Sequence, residues 1–429
     1  MKHFDIAILG FGTVGLGVYR VLTEGHESIL HREDVDIAVR RILVRDFTHE
    51  PNIEKASREV FSTNVDEIVS DPEISVVVEC MGGVEPARTF ILKALESGKT
   101  VVTSNKEVVS KHWPAFTAAA KKSGAGLYIE ATVGGGIPVI RTVIDAMQAN
   151  NITKVMGIVN GTTNYILTKM RDDGAAFDDV LREAQQLGYA EANPTADVDG
   201  FDAMYKLSIL GSLAFHAHVP IEHISREGIT KLTSADFAAA DELGCVIKLL
   251  AIGKKGEDGI EMRVHPTLLK KSHPLAGVNG VFNAIFLTGD AVDDVMLYGR
   301  GAGSLPTASA VVSDVIYACR ADGKHKLPSF KNEAQITDDV RLVEDGQSSC
   351  CVRLHAKDVP GAAADVVDAF ALEGVGVSRL IPLAGEAEDG KHLALLTDAA
   401  SYAAIQRAVE KLSMNPRILC VDSVLRAEA

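Results

Sequence analysis

The segment Asp199-Gly-Phe-Asp202-Ala-Met-Tyr-Lys206 places two carboxylates and a lysine at the start of an apolar helix. Asp202 and Lys206 are one helical turn apart and therefore share a face. Leu207 to Ala217 follows with little charge, which predicts a helix that enters a core. On a solvated surface such a pair contributes only about 0.3 kcal/mol. At the rim of a core, the same lysine could protonate an oxygen on which negative charge develops.

The loop before this segment, Gly188 to Asp197, carries Gly, an Asn-Pro pair and two further acids. A substrate with an ammonium group needs a carboxylate to bind it, and Glu191 fits this requirement on a loop that could close over a site. Acids and a lysine so close together favour chemistry on a small polar molecule over a purely solvated surface.

A glycine-rich fingerprint, Gly10-Phe11-Gly12-Thr13-Val14-Gly15, follows a short apolar run of strand length, Phe4 to Leu9. Gly10 suits the tight turn, Gly12 lets the backbone approach a pyrophosphate, and Gly15 allows close helix packing. Glycines at this spacing are weak evidence alone, but after a strand and before a helix they predict dinucleotide binding. A Rossmann-like domain without a ligand is the alternative.

The end of the second predicted strand, Ile37 to Val44, bears on which dinucleotide is bound. Arg45 comes first after this strand and Asp46 second. An acid at this place bonds the ribose 2′-hydroxyl, whereas an arginine pairs with a 2′-phosphate. The order favours NADP without excluding NAD, and Arg45 as an ordinary surface residue is the other interpretation.

Composition limits the class of protein before any motif does. The chain of 429 residues predicts roughly two to four domains, with 47% hydrophobic and 24% charged residues, as in soluble globular proteins. A net charge of −15 argues against nucleic acid as a partner. No apolar run has the length of a membrane span, and Met1 leads directly into the first strand, so we expect no membrane partner and no signal peptide. Scattered cysteines without C-x-x-C spacing are typical of a reduced, cytoplasmic protein.

The first 137 residues alternate strand and helix patterns, which predicts an α/β domain with a doubly wound parallel sheet of the Rossmann type. Further strands are predicted at Val76–Glu79, Thr100–Thr103 and Leu127–Glu130, and the last helix at Trp113–Ser123. Ligands of such sheets lie beyond the carboxyl ends of the strands. Cys80-Met-Gly-Gly83 and Thr103-Ser-Asn-Lys106 follow two of these strands. Lys106 could pair with an anionic group of substrate or cofactor, or be a surface lysine that leads a helix.

Residues 138–343 mix helices and strands without strict alternation, which predicts an α+β domain. It is preceded by Glu130-Ala-Thr-Val-Gly-Gly-Gly-Ile-Pro138, whose three glycines let several carbonyls face one point, as in sites for hard cations. A hinge between domains is the alternative. After a predicted strand at Ile152–Val159, the polar cluster Asn160-Gly-Thr-Thr-Asn164 could cap a helix or contact a ligand.

Residues 349–429 form the third predicted domain, after a polar linker at Glu344–Ser349. The pattern is strand, helix, strand, strand, helix, strand, which is the ferredoxin-like order. It resembles an ACT domain, a regulatory module that binds small molecules, often amino acids. Nothing in this part has the residues of a catalytic site.

Taken together, these motifs resemble bacterial homoserine dehydrogenase in the form that ends in an ACT domain, over essentially the whole chain. The most specific match is Gly188 through Lys206, with its glycine, its Asn-Pro pair, its Asp, and Gly-x-Asp ending in lysine. One departure is Tyr205, where the family usually has arginine, which leaves the purpose of that arginine in doubt but not that of the lysine.

The resemblance implies reversible, NAD(P)-dependent reduction of L-aspartate 4-semialdehyde to L-homoserine, on the route to threonine, methionine and isoleucine. It also implies an Na⁺ or similar monovalent-cation site, a homodimer or homotetramer, and an amino-acid effector such as threonine at the ACT domain. The implied residues are Lys206 as proton donor and acceptor, Glu191 and Asp202 for homoserine, Lys106 near cofactor and substrate, Gly188 and Gly303 at the cofactor, and Glu130, Val133, Gly135 and Ile137 at the cation.

Two rival interpretations remain at this point. Another semialdehyde or amino-acid oxidoreductase would keep the glycine fingerprint without needing the combination of Glu191, Asp202 and Lys206. A Rossmann domain joined to an ACT-like module could instead be a ligand sensor that performs no catalysis. Such a sensor has no need of the acid-rich segment from Gly188 to Lys206.

Overall fold

The structure is a computed structural model that describes residues 2–48, 50–320, 341–383 and 390–428. These residues pack into two compact units. The first consists of the chain up to Val155, Tyr205–Glu222, and the stretch from Asn283 to Arg320. The second consists of Met156–Met204, His223–Phe282, and the chain from Arg341 onward. The division into domains at 1–137, 138–343 and 349–429 stays a prediction.

The strands alternate with helices in the first part of the chain and follow one another in the later parts. The strands are β1 (Lys2–Leu9), β2 (Val35–Leu43), β3 (Phe61–Ser62), β4 (Ile74–Glu79), β5 (Thr100–Thr103), β6 (Leu127–Tyr128), β7 (Ile152–Ile158), β8 (Ser225–Arg226), β9 (Cys245–Gly256), β10 (Gly259–Lys270), β11 (Phe282–Gly289), β12 (Asp293–Arg300), β13 (Gln347–Ala356), β14 (Val377–Pro382), β15 (Lys391–Thr397), β16 (Ala400–Ser401) and β17 (Ile418–Glu428).

The helices are α1 (Thr13–Glu24), α2 (His26–Glu33), α3 (Val65–Ser70), α4 (Ala87–Glu96), α5 (Lys106–Ser123), α6 (Val139–Arg141), α7 (Gly161–Asp173), α8 (Phe177–Gln186), α9 (Thr195–Val198), α10 (Phe201–Phe215), α11 (Ser234–Glu242), α12 (Ser304–Arg320), α13 (Ala362–Ala371) and α14 (Tyr402–Ser413). Among the described residues, no helix combines the length and the apolar character that crossing a bilayer requires.

The first sheet has the strand order β3-β2-β1-β4-β5-β6, and all of its neighbouring strands are parallel. This is the order of dinucleotide-binding Rossmann sheets, which confirms the predicted fold class of this region. Apolar residues of β1, β2 and β4 form one core with α1 and α12. Because β2 and β4 lie on opposite sides of β1, a crevice opens where β1 and β4 end, and the glycine-rich loop begins there.

Two predicted boundaries in this region are wrong. Helix α5 begins at Lys106 rather than Trp113, since Asn105 caps it by accepting the Val108 N–H at 3.1 Å. Its periodicity was obscured by Pro114, next to a kink at His112. Strand β6 ends at Tyr128, and Glu130 lies instead in a 3₁₀ turn, Glu130–Thr132.

In the second unit, neighbouring strands follow the order β9-β10-β17-β13-β15-β14. Strand β10 is antiparallel to β9 and parallel to β17 and β8, so the sheet is mixed, in agreement with the predicted α+β class. The last four strands of this order, with α13 and α14 packed on them, give the β-α-β-β-α-β arrangement that the sequence predicts. The linker is shorter than predicted, because β13 already begins at Gln347.

The C-terminal elements β13 to β17 and α13 to α14, here called the C-terminal module, share the sheet of β9 and β10. The main chain of Leu268 on β10 is in register with Ala427 on β17. Arg263 on β10 is 1% exposed and forms an ion pair with Glu428. A buried guanidinium is tolerated only when it is paired, so this contact ties the module to β10.

Candidate active site

The glycine-rich loop has the geometry that the sequence predicts. Gly10 has φ +93°, in the left-handed region that favours glycine. A Cβ on Gly15 would lie 2.0 Å from the Gly10 carbonyl oxygen, so only glycine fits where α1 approaches the loop. A Cβ on Gly12 would meet nothing within 4 Å, which leaves open space above the start of α1. A helix N-terminus beside open space suits a pyrophosphate.

Phe11 is part of the predicted loop, but its ring belongs to the core. It is 1% exposed and packs edge-on against Tyr19 and Phe61. Its carbonyl accepts a hydrogen bond from the Asn52 side chain at 2.8 Å. Phe11 therefore fixes the position of the loop through its ring, and its predicted contact with the cofactor stays a prediction, as do those of Thr13 and Val14.

The two residues that bear on cofactor choice, Arg45 and Asp46, differ in their surroundings, and the preference for NADP stays a prediction. Arg45 is exposed. The Asp46 carboxylate accepts hydrogen bonds from the Thr48 main chain at 2.7 Å and from the Thr48 hydroxyl at 2.6 Å. An acid held in its own turn is less available to a ribose hydroxyl.

Helix α12 brings Gly303 close to the glycine-rich loop. The Ser304 hydroxyl donates to the Thr13 carbonyl at 2.8 Å, and a Cβ on Gly17 would lie 2.8 Å from the Ser304 carbonyl oxygen. Gly303, with φ +122°, precedes this contact directly. The structure thus gathers Gly303 and the loop at the same end of α1.

Beyond β4 and β5, one buried carboxylate holds two loops together. Glu79 is 0% exposed and accepts hydrogen bonds from the Met81 N–H at 2.7 Å and the Thr103 hydroxyl at 2.5 Å. Lys106 starts α5 directly after the second of these loops and is half-buried. Sequence reasoning placed Glu79 in a strand and missed its contacts, since a strand pattern does not show which side chain turns into the sheet end.

Helix α10 carries the acid and lysine pair at the edge of a core, as predicted. Asp202 is 5% exposed and Lys206 8%, and the residues that follow, among them Leu207 and Leu210, are buried. Tyr205 contacts α5, because the Lys111 ammonium lies 5.3 Å from the centre of its ring. Helices α5 and α10 therefore contact each other in the first unit. The contact joins Lys111, which follows Lys106 on α5, to Tyr205, which directly precedes Lys206 on α10.

The polar cluster at the start of α7 organises the acids of the second unit. The Asn160 side chain caps α7 by accepting the Thr163 N–H at 2.8 Å, and its amide group donates to Asp197 at 2.7 Å and to Asp202 at 2.9 Å. The Thr162 hydroxyl donates to the Tyr189 carbonyl at 2.5 Å. Asn160 thus caps α7, which is one of the two possibilities that the sequence left open for this polar cluster, and it also joins two acids of the segment from Gly188 to Lys206. These two contacts with the acids were not predicted.

The loop from Gly188 to Glu191 turns sharply at the end of α8. Gly188 has φ +75° and Glu191 is exposed. The Glu191 main-chain oxygen accepts the Gln185 side chain at 3.1 Å. The main chain of this loop is anchored while the Glu191 residue is exposed, and its contact with a substrate ammonium group stays a prediction.

The predicted cation loop is built around Glu130, which is 4% exposed. Its carboxylate accepts the main-chain N–H groups of Ile140 at 2.9 Å and Arg141 at 2.8 Å, and its own N–H donates to Asp314 at 2.9 Å. Burial raises the pKa of Glu130 to about 7, and the charge of Asp314 raises it further. Burial also raises the pKa of Asp314 to about 6, and Arg141 acts in the opposite direction on both groups.

Glycines bring the main chain of this loop against that of Gly301, and its predicted cation site stays a prediction. Gly134 and Gly135 have φ +76° and +56°, and a Cβ on Gly135 would lie 2.3 Å from the Gly301 carbonyl oxygen. Because the Glu130 carboxylate is occupied by the start of α6, carbonyls rather than side chains would be the ligands, as suits a cation of modest charge. Among the described residues, no group of three or more His, Cys, Asp or Glu side chains could hold a metal ion.

A Rossmann sheet with this glycine-rich loop and a family match to NAD-binding domains defines an NAD(P)-dependent oxidoreductase. Residues 10–130 match the family model described as homoserine dehydrogenase, NAD binding domain, and residues 138–316 match the model described as homoserine dehydrogenase. The chain belongs to the homoserine dehydrogenase family.

Individual relatives agree with this assignment. The chain is 42% identical to homoserine dehydrogenase of Synechocystis, covering 98% of both chains. The crystal structure of a homoserine dehydrogenase from Thiobacillus denitrificans superposes with a TM-score of 0.93 at 39% identity, covering 100% of this chain and 99% of that one. A hyperthermophilic archaeal homoserine dehydrogenase in complex with NADPH matches with a TM-score of 0.63 at 30% identity, covering 74% of this chain and 98% of that one.

Proposed function

We propose that this enzyme interconverts L-aspartate 4-semialdehyde and L-homoserine with Lys206 as the group that transfers the proton. The observation that carries this proposal is the burial of Asp202 and Lys206, one turn apart, at the start of the apolar part of α10. A bound reduced nicotinamide would supply the hydride. Lys206 then protonates the oxygen as negative charge develops on it, and takes the proton back in the reverse direction.

The acids around Lys206 bind the amino-acid part of the substrate in this proposal. Glu191 is exposed on an anchored loop and would pair with the substrate ammonium group. Asp202 is held by Asn160 and orients Lys206 from one turn away. Lys106, at the start of α5, would contact substrate or cofactor from the sheet side, which the meeting of α5 and α10 at Lys111 and Tyr205 supports.

NADP is the preferred cofactor in this proposal. Arg45, the second residue after β2, is exposed, and the Asp46 carboxylate accepts a hydrogen bond from Thr48. The solved structure of the archaeal relative is a complex with NADPH. Gly188 and Gly303 complete the cofactor contacts, and Gly303 lies beside the loop that would hold the pyrophosphate.

The main-chain oxygens of Glu130, Val133, Gly135 and Ile137 would hold Na⁺ or another monovalent cation. Its chemistry at this place is structural, since it would draw together carbonyls of a loop that packs against Gly301 at the end of β12. The chain's own contribution is the fixed Glu130, whose carboxylate pins the start of α6 and whose main chain is pinned by Asp314.

The C-terminal module is an ACT domain that binds threonine or another end product and thereby inhibits the enzyme in this proposal. Its ferredoxin-like arrangement supports this, and the family models match only up to residue 316. Arg353 of the module pairs with Asp236 of α11 at 3.0 Å and with Asp422 at 3.0 Å, so a change in the module would reach α11. Deleting the module would remove β17, which pairs with β10, and so would disturb the rest of the sheet. Hydrogen exchange of α13 with and without threonine therefore locates threonine binding better than a deletion does.

We also propose a homodimer or homotetramer in the cytoplasm. Strand β12, the end strand of its sheet, exposes the apolar side chains of Met296 and Tyr298. The thiols of Cys80, Cys245, Cys319, Cys350, Cys351 and Cys420 are all free, which agrees with a reducing compartment. Light scattering of the purified protein would give the oligomeric state directly.

Initial rates test the proposed reaction. Oxidation of homoserine should be far faster than oxidation of other small alcohols, with NADP favoured over NAD, and threonine should slow it. Equal rates with unrelated hydroxy acids would favour another semialdehyde oxidoreductase. No NADPH consumption with any aldehyde would favour a ligand sensor.

A further inference from the structure

Glu79 is a buried acid of the first unit to which the proposed reaction assigns no part. Glu79, the last residue of β4, has a side chain 0% exposed to solvent. Burial raises the pKa of its carboxyl, and hydrogen bonds from Thr103, Met81, Gly82 and Asn105 act in the opposite direction. A carboxylate is retained at such a place only if its hydrogen bonds offset the cost of desolvation.

The first loop that Glu79 holds is Cys80–Gly83. The Met81 N–H donates to the carboxylate at 2.7 Å, and Gly82 and Gly83 follow with φ +77° and +69°. Successive N–H groups in such a turn form a concave anion site. Here the anion is the protein's own side chain, so the loop is held to the end of β4 rather than left to bind phosphate.

The same loop also touches the glycine-rich loop. A Cβ on Gly10 would lie 3.0 Å from both the Cys80 carbonyl oxygen and the Met81 side chain. The position of Cys80 and Met81 therefore limits where the turn after β1 can lie. By holding this loop, Glu79 limits the shape of the crevice between the ends of β1 and β4.

The second loop that Glu79 holds runs from Thr103 to Lys106. The Thr103 hydroxyl donates to Glu79 at 2.5 Å and accepts the Asn105 N–H at 3.0 Å. The Asn105 side chain caps α5 through the Val108 N–H at 3.1 Å and donates to the Gly83 carbonyl at 2.7 Å. The two loops are therefore linked to each other as well as to Glu79, and the chain of bonds ends at the first turn of α5.

Lys106 is the first residue of that turn. Its main-chain position depends on the cap that Asn105 provides, and Asn105 depends on Thr103 and Glu79. We infer that Glu79 is a positioning residue of the active site, which sets Lys106 against the substrate and cofactor through Thr103 and Asn105. This inference rests on the proposed contact of Lys106 with substrate or cofactor.

A double-mutant cycle tests the inference. Glu79→Gln keeps the shape of the side chain but replaces one carboxylate oxygen with an NH₂ group. That NH₂ group faces one of the donors to Glu79, such as the Met81 N–H or the Thr103 hydroxyl, so one buried donor loses its acceptor. We expect kcat/KM for homoserine to fall roughly tenfold in Glu79→Gln, and by less than about twofold when the same change is made in Lys106→Ala. A full tenfold loss in both backgrounds would mean that Glu79 only supports the fold and would overturn the inference, as would a Glu79→Gln enzyme with unchanged kcat/KM.

Two further variants keep the test decisive if Glu79→Gln folds poorly. Thr103→Val removes only the hydroxyl that links Glu79 to Asn105, and Thr103→Ser keeps it. The valine variant should reproduce the loss and the serine variant should restore most of the activity. Similar activities for valine and serine would contradict the inference.

A matched control lies at the other end of the same strands. Lys99, before β5, is 6% exposed and donates to the carbonyls of Asp71 and Ile74 at 2.6 and 2.7 Å. Lys99→Met should lower the melting temperature, because it removes a buried group that donates two hydrogen bonds. Any fall in kcat/KM that it causes should be equally large in the wild-type and the Lys106→Ala backgrounds.

Hydrogen exchange separates this inference from the proposed part of Lys106 in the reaction. Glu79→Gln should speed exchange of the Val108 and Val109 amides in the first turn of α5, and Lys99→Met should not. If Lys106→Ala retains full activity, the proposed function of Lys106 fails, and the exchange rates alone decide whether Glu79 sets its position. Unchanged exchange in Glu79→Gln would refute the positioning.

Discussion

The glycine-rich edge of the first sheet and the acid-rich segment from Gly188 to Lys206 hold their polar groups in opposite ways. At the sheet edge the main chain is shaped by sterics, as where Gly15 meets the Gly10 carbonyl and Gly12 faces open space. In the acid-rich segment, side chains are fixed by other side chains, as where Asn160 bridges Asp197 and Asp202. Substitutions that add atoms should therefore impair binding at the sheet edge. Substitutions that remove hydrogen bonds or charges should impair the acid-rich segment.

Lys206→Ala should have the largest effect. Removing the ammonium group leaves no proton donor at the developing alkoxide, so kcat should fall by roughly 10²–10⁴-fold, while NADPH affinity, which the other region provides, changes little. Single-turnover rates and the quenching of NADPH fluorescence measure the two effects separately. Lys121→Ala, on the exposed end of α5, is the charge-matched control. Turnover that survives Lys206→Ala would remove this residue from the mechanism.

Gly15→Ala and Gly12→Ala form a pair that sharpens the steric side of the comparison. Both should weaken NADPH binding by roughly 10- to 100-fold. Only Gly15→Ala should also lower stability, by about 1–3 kcal/mol, since its methyl group would overlap the Gly10 carbonyl oxygen whereas that on Gly12 meets nothing. Thermal melts and NADPH titrations distinguish the two. Equal melting temperatures would show that Gly15 is not needed for packing.

Asn160→Ala probes the electrostatic side. The change leaves Asp202, at 5% exposure, and Asp197 without the amide that lies between them. We expect kcat/KM for homoserine to fall about tenfold with unchanged NADPH affinity, since a buried hydrogen bond to a charged group contributes about 1.5–3 kcal/mol.

Loss of the helix cap alone needs its own control. Asn64 caps α3 in the same way, accepting the Asp66 N–H at 3.0 Å. Asn64→Ala should lower the free energy of unfolding by about 1 kcal/mol and leave activity unchanged. If both variants lose stability alike and neither loses activity, Asn160 is only a cap.

The two regions were not equally predictable from the sequence. The sheet order and glycine loop follow from local patterns, because alternation and glycine spacing act over a few residues. Burial of Lys206 could also be predicted, from the apolar run after it. The links from Glu79 to Thr103 and from Asn160 to Asp202 could not be, because each joins residues that are far apart in the chain, and no spacing rule reports which side chains turn toward each other.

The C-terminal module shows the same limit in another form. Its order of strands and helices was predicted from periodicity, but its attachment was not. Pairing of β17 with β10 and the burial of Arg263 against Glu428 depend on the tertiary fold. A charged residue in a strand such as Arg263 is ordinarily taken as exposed.

Lys248 should make the stability of the second unit depend on pH. It is 1% exposed, donates to Val278 and Asn279, and contacts Asn164 of α7; burial lowers its pKa from 10.5 to about 7. Between these values the unfolded chain binds the extra proton, so this group makes stability rise with pH, by up to about 1.4 kcal/mol per pH unit. Urea unfolding at pH 7 and 8.5 should show a smaller rise in Lys248→Met than in wild type; equal slopes would mean that Lys248 stays charged when folded.

Arg45→Ala should give the smallest effect, because an exposed arginine contributes only when a 2′-phosphate is present. We expect the ratio of kcat/KM with NADP to that with NAD to fall about tenfold, chiefly through KM for NADP, as removal of one charge-assisted hydrogen bond predicts. Asp46→Ala should leave the rate with NAD nearly unchanged, since Asp46 is held by Thr48. A drop with NAD in Asp46→Ala, with no change in Arg45→Ala, would reverse the cofactor assignment. Cofactor choice would then depend on the Asp46 side chain after it leaves its hydrogen bonds with Thr48. In that case a charged side chain would determine binding at the sheet edge, as charged side chains do in the acid-rich segment.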